Sequence, residues 1–228
     1  MVVDTVTRTG LPLYRLDVDT YHRLAEAGAL DGMDVELLDG LLVDKDSARE
    51  DPVHRIDVGA YHRMVASGAL EGKRIELLEG LLVEMSPKST AHIRVVSRLM
   101  RHFVAAPDLW VQVQDPIEAA YDCEPEPDLV IGGHEPFGEQ LLRCPPLVIE
   151  VAVTTHWLDR GKKTKLYAAA GIPNYWLVDV PGRVVEVRTQ PGAHGYEHCD
   201  THHEGSTVAA PLDGVADLNV AALFSDVG

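Results

Sequence analysis

Apolar and polar positions along this chain follow a pattern that runs twice and then changes. Residues 16–43 read LDVDTYHRLAEAGALDGMDVELLDGLLV, and residues 56–83 read IDVGAYHRMVASGALEGKRIELLEGLLV, identical at 16 of 28 positions. Each stretch predicts a helix carrying Tyr-His-Arg, a stop containing glycine, and a hairpin turning at Asp39-Gly40 or Glu79-Gly80. Self-similarity at a 40-residue period marks an internal repeat. Two copies do not make a solenoid, because stacking arrays need three or more. The first copy runs into a polar linker, DKDSAREDP, and the second into EMSPKSTAHIRVVSRLMRHFV.

That continuation predicts a helix over 90–104, with Ile93, Val96, Met100 and Phe103 on one apolar face. Arg94, Arg98 and Arg101 form a basic stripe on it, read either as a solvated helix face or as a phosphate contact. Strand-like runs follow at 109–113, 116–120, 128–132 and 146–153. A helix is expected from 157 to 170, stopped by Gly171 and Pro173, and then a hairpin of NYWLVDV and RVVEVRT across Pro181-Gly182. This order predicts an α/β (α+β) fold, a mixed sheet flanked by helices, behind a duplicated N-terminal helix–hairpin unit. The expected division is an appended first copy at 1–50 and a main domain at 51–228.

Composition narrows the class. With 228 residues, 46% apolar and 25% charged, the chain suits a soluble globular protein with one sizeable core. No apolar run approaches the roughly 20 residues of a membrane span, and MVVDTVTRTG lacks the features of a secretory signal. Cys123, Cys144 and Cys199 are too few and too irregular for a disulfide framework, which favours a cytoplasmic location. The net charge of −16 repels phosphate backbones, so a nucleic-acid partner needs a local basic patch or bridging cations. That argues against a simple DNA-coating protein and leaves a metal-dependent nuclease open.

Two carboxylates interrupt apolar strands. Asp128 follows Pro127 at the mouth of Leu129-Val130-Ile131, where it could be an ordinary turn residue. Glu150 is harder to set aside, since Val148, Ile149, Val151 and Val153 surround it and an acid in such a strand needs compensation. On adjacent strands the pair could share one Mg²⁺, which favours carboxylate oxygens. Glu76 lies on the second hairpin, either facing solvent or joining the pair. Asp159 and Lys163 at i, i+4 could be no more than a surface ion pair.

In this order the stretches RIELLEGLLVEMSPKSTAH, EPDLVI, PPLVIEV, LDRGKKTKLYAAAGIPNYWLVDV and VADLNVAALF resemble the Uma-type restriction endonucleases of the PD-(D/E)XK nuclease superfamily. The resemblance spans roughly 56–224, and its most specific part is Lys-x-x-x-Tyr followed by Gly-Ile-Pro-Asn-Tyr-Trp-Leu-Val-Asp. It implies an endonuclease using Mg²⁺ or Mn²⁺ to hydrolyse phosphodiester bonds, with DNA as partner. By it Asp128 and Glu150 are the metal-binding acids and Glu76 the upstream acid. Ala152 stands where the superfamily pattern has its lysine, and Lys163 on the following helix takes that place, with Asp159 one turn earlier to orient it. His92, Arg94, Arg98 and Arg101 become substrate contacts.

The alternative is a catalytically inactive nuclease-fold protein acting as a nucleic-acid or protein binding module. The first copy would cover a sheet edge or pair with a second chain as a homodimer. Tyr175 and Trp176 read as core aromatics. HGYEHCDTHH, at 194–203, reads as a surface loop whose spacing matches no closed zinc pattern.

Overall fold

The computed structural model describes residues 10–45, 51–133, 141–154 and 157–227. The middle of the linker, 46–50, and most of MVVDTVTRTG lie outside them. The chain divides into two compact units, 1–86 with 120–125 and 87–119 with 126–228. Both helix–hairpin copies fall within the first unit.

In the first unit the elements recur at the sequence period. They are α1 (Val18–Glu26), β1 (Val35–Leu38) and β2 (Leu41–Asp44), then α2 (Val58–Ala66), β3 (Ile75–Leu78) and β4 (Leu81–Glu84). Asp17 caps α1 by accepting from the Thr20 amide at 2.7 Å, and Asp57 caps α2 by accepting from Ala60 at 2.6 Å. Both hairpins turn through two left-handed residues, Asp39-Gly40 at φ 50° and 77° and Glu79-Gly80 at 52° and 72°. Positive φ at both central positions is what a tight hairpin turn needs to match strand twist. Leu24, Leu30, Val35 and Leu42 pack with Met64, Leu70, Ile75 and Leu82 in one shared core. The outer strands differ. Segment 120–125 pairs with β3 through Leu77 and Glu124, leaving Glu76 buried, whereas Glu36 on β1 is exposed.

The second unit opens with α3 (Thr90–Val104), followed by β5 (Trp110–Gln112), β6 (Leu129–Gly132) and β7 (Leu147–Ala152). A π-helical turn (Leu158–Lys163) then runs into α4 (Thr164–Ala169). Next come β8 (Asn174–Asp179), β9 (Val184–Gly192) and β10 (Gly195–His203), and after them β11 (Thr207–Val208), β12 (Leu218–Asn219) and α5 (Val220–Phe224). Six strands form a mixed sheet in the order β10-β9-β8-β7-β6-β5, with β7 and β8 parallel and every other pairing antiparallel. Side chains alternate across it. Leu129, Ile131, Ile149, Val151 and Trp176 face one core with Val95, Leu99 and Phe103 of α3 and Phe224 of α5. Val130, Val148, Tyr175 and Leu177 face the other with Tyr167 and Ile172. Helices therefore cover both faces, and β7 is buried along its whole length.

Four sequence expectations change. The buried stripe of α3 is Val95, Val96, Leu99 and Phe103, while Ile93 and Met100 are exposed; the helix has more apolar residues than one face can bury. No strand forms over 116–120, where Ile117 and Ala120 make single bridges and Pro116 supplies no amide donor. The histidine-rich stretch is the edge strand β10, because backbone pairing with β9 needs no apolar side chains. The helix after β7 begins as a π-helix, which changes the spacing of its inward side chains.

Candidate active site

Glu150 sits mid-strand on β7, on the face covered by the π-helical turn and α4. Its Oε1 accepts from Lys163 Nζ at 3.0 Å and from the Tyr167 hydroxyl at 2.6 Å. All three side chains are buried. A buried carboxylate is tolerable only with such compensation, so lysine and tyrosine one turn apart answer the acid in the strand. Asp159 is buried as well, which removes the exposed i, i+4 pair as an account of Asp159 and Lys163. The turn is π-helical, and its Asp159 carbonyl accepts from two side chains, the Thr164 hydroxyl at 2.8 Å and the Tyr175 hydroxyl at 3.1 Å. Burial raises the Tyr175 phenol well above its usual range, and the nearby Asp159 and Glu150 carboxylates push it the same way.

Asp128 stands just ahead of β6. Leu129 pairs with Ile149, so continuing the antiparallel register by one residue sets Asp128 opposite Glu150. Its carboxylate does not close a turn. Oδ2 accepts from the Val151 amide at 2.8 Å, Oδ1 from the Gln114 side-chain amide at 3.1 Å, and His92 Nε2 lies 3.0 Å from Oδ2. Burial by itself would raise this carboxyl, but the His92 hydrogen bond and charge, the Val151 amide and Gln114 outweigh it and hold the group below its ordinary value. Asp128 is therefore kept ionised. The Ser89 side chain caps α3 by accepting from the His92 amide at 3.2 Å, and His92 lies on the same helix face as Val95, Val96 and Leu99, which aims its ring inward.

The arginine stripe has a second occupation. Arg94 donates to the Asp226 carbonyl at 2.8 Å and Arg98 to the Leu223 carbonyl at 2.9 Å, so both tie α3 to the end of α5. Arg101 is exposed and bonds the Ser97 carbonyl of its own helix at 3.3 Å. Glu76 belongs to the first unit and is buried in β3.

Sequence reasoning missed Gln114 and the partner role of Tyr167. Tyr167 had a readable signal, since it lies one helical turn after Lys163 on the same face. Gln114 had only Asp115-Pro116 behind it, a turn signal that says nothing of its amide.

A divalent cation can be tested against these donors. Two carboxylates on neighbouring strands suit a hard ion that takes one or two carboxylates and keeps its waters. Asp128 receives three donors, with His92 Nε2 2.9 Å from Oδ1 and 3.0 Å from Oδ2, so a cation would share oxygens that are already hydrogen-bonded. The donor chemistry fits. Among the described residues no group of three or more His, Cys, Asp or Glu side chains gathers as a metal cluster.

A mixed six-stranded sheet with helices on both faces, and a buried acid in β7 met by a lysine from the next helix, is similar to a nuclease-type fold. Residues 58–221 match the Uma2 family, described as "Putative restriction endonuclease"; this is well over half of the chain, and the chain belongs to that family. The match begins in α2, so the first copy lies outside it. Among solved structures the fold is similar to one described as a putative nuclease belonging to DUF820 from Anabaena variabilis, with a TM-score of 0.57 and 16% identity over 67% of this chain and 90% of that one. No curated protein matches. Among the described residues no helix is long and apolar enough to cross a membrane.

Proposed function

We propose that the protein is a metal-dependent endonuclease that hydrolyses phosphodiester bonds in DNA. The observation that carries this reading is the 3.0 Å contact between Lys163 and Glu150, a lysine supplied from the helix where the strand has Ala152. Asp128 and Glu150 would hold Mg²⁺ or Mn²⁺, which when bound polarises the phosphodiester and lowers the pKa of an attacking water.

The chain's own residues do the remaining work. His92, Gln114 and the Val151 amide keep Asp128 charged and fixed. Lys163 offsets the charge of Glu150 in the resting protein and supplies a positive group where negative charge develops on phosphorus oxygens. Tyr167 holds Glu150 in its rotamer from one turn away. Arg101, Arg98 and Arg94 contribute positive charge along α3 for the backbone, which sets register without reading bases. Glu76, buried in β3 of the copy whose chain continues toward α3, is the upstream acid of this reading. Supercoiled plasmid incubated with the protein should be nicked and linearised with Mg²⁺ or Mn²⁺ and left intact with EDTA. Intact plasmid under all three conditions would overturn the proposal.

A further inference from the structure

We infer that the helix–hairpin unit carries a self-complementary face, a binding surface for a second copy of the same unit, and that this chain fills it with its own first copy. The observations lie within residues 11–84 and do not depend on the nuclease reading.

In a two-fold interface, if position i of one copy touches j of the other, then j touches i in return. The backbone bonds between the copies obey this rule. The Tyr14 amide of the first copy donates to the Leu82 carbonyl of the second at 2.8 Å; forty residues on, the His54 amide donates to the Leu42 carbonyl at 2.9 Å. The Glu84 amide donates to the Pro12 carbonyl at 2.7 Å, and the Asp44 amide to the Pro52 carbonyl at 2.9 Å. Strand bridges repeat the exchange, Leu13 with Val83 and Val53 with Val43. Each copy's entering segment thus lies on the second hairpin strand of the other copy.

Chain proximity explains only half of these contacts. Asp44 and Pro52 are neighbours across the linker, but Glu84 and Pro12 are more than seventy positions apart and make the same bond.

The space at the centre has the same symmetry. A small cavity of about 20 Å³ is lined by twelve residues that form six pairs forty positions apart, among them Leu16 with Ile56, Gly40 with Gly80 and Leu42 with Leu82. A cavity so lined lies on the axis that relates the copies. The edges of β2 and β4, which would otherwise invite pairing with other chains, are each closed by the other copy. The first copy therefore occupies the place of a partner unit.

Amide hydrogen exchange on the intact chain tests this. An interface of two equivalent halves opens as one cooperative event, so Tyr14, Glu84, His54 and Asp44 should be protected to within about tenfold of one another. Tyr14 and Glu84 exchanging a hundredfold or more faster would show a loosely appended first copy and overturn the inference. A second test replaces residues 12–44 in the full chain with the sequence of 52–84. A self-complementary face predicts a folded chain whose mass by light scattering equals the parent's. An unfolded or precipitating product would overturn it.

Discussion

Lys163 meets Glu150 from a different element. Its ammonium lies 3.0 Å from Oε1, the lysine ending a π-helical turn and the glutamate in the middle of β7, and both are buried. Removing one member of such a pair leaves the other charged in a low-dielectric surrounding. Lys163→Met should therefore cost about 3–5 kcal/mol in urea unfolding, and adding Glu150→Gln should return a large part of it. Additive losses in the double variant would mean that the two groups do not interact in the folded protein.

Tyr167 gives a milder version of the same test. Its hydroxyl donates to Glu150 at 2.6 Å, a hydrogen bond to a carboxylate. Tyr167→Phe keeps the ring and deletes only the donor, so unfolding free energy should fall by about 1.5–3 kcal/mol. An unchanged midpoint would show that Lys163 alone satisfies the acid.

The arginines of α3 should separate by role. Arg98, bonded to the Leu223 carbonyl, anchors α5, so Arg98→Ala should lower stability by about 1 kcal/mol. Arg101 is exposed and among the described residues hydrogen-bonds within its own helix, so Arg101→Ala should leave stability nearly unchanged. If it meets a phosphate, the slope of log K against log salt for DNA binding should fall by about 1. An unaltered slope would return Arg101 to the solvated face.

Cysteine chemistry follows from burial. Desolvation is the main cause that raises the Cys123 thiol to about 12, with the Asp122 and Glu79 charges adding to it against a hydrogen bond from the Glu79 amide. A raised pKa keeps the thiol protonated, so at pH 8 about 10⁻⁴ of it is thiolate. Cys144 and Cys199 are exposed. Iodoacetamide on the native protein should modify those two and spare Cys123 until denaturant is added; mass spectrometry of native and unfolded samples reads the difference.

Much of the fold is written in local signals. Glycine stops, the Asp-Gly and Glu-Gly turns and the 40-residue period mark both helix–hairpin copies, and Glu150 announces itself as an acid in a strand with no polar neighbours. The lysine's position was legible through resemblance, but its geometry was not, because a π-helical turn has no sequence mark that separates it from an α-helix. The face of α3 was misplaced for a different reason. Ile93, Val95, Val96, Leu99, Met100, Phe103 and Val104 offer two overlapping stripes, and only packing against the sheet chooses between them. β10 was hidden because an edge strand is stabilised by its backbone ladder while its side chains stay polar.

The most direct test of the nuclease account compares plasmid cleavage by the wild-type protein and Glu150→Gln under single-turnover conditions with Mg²⁺, both first shown to be folded by circular dichroism. The nuclease reading predicts cleavage by the wild type and a loss of about 10²-fold or more in the variant, since Glu150 is the acid that Lys163 and Tyr167 hold and that would bind the cation. Equal rates, or no cleavage by either protein, would contradict it.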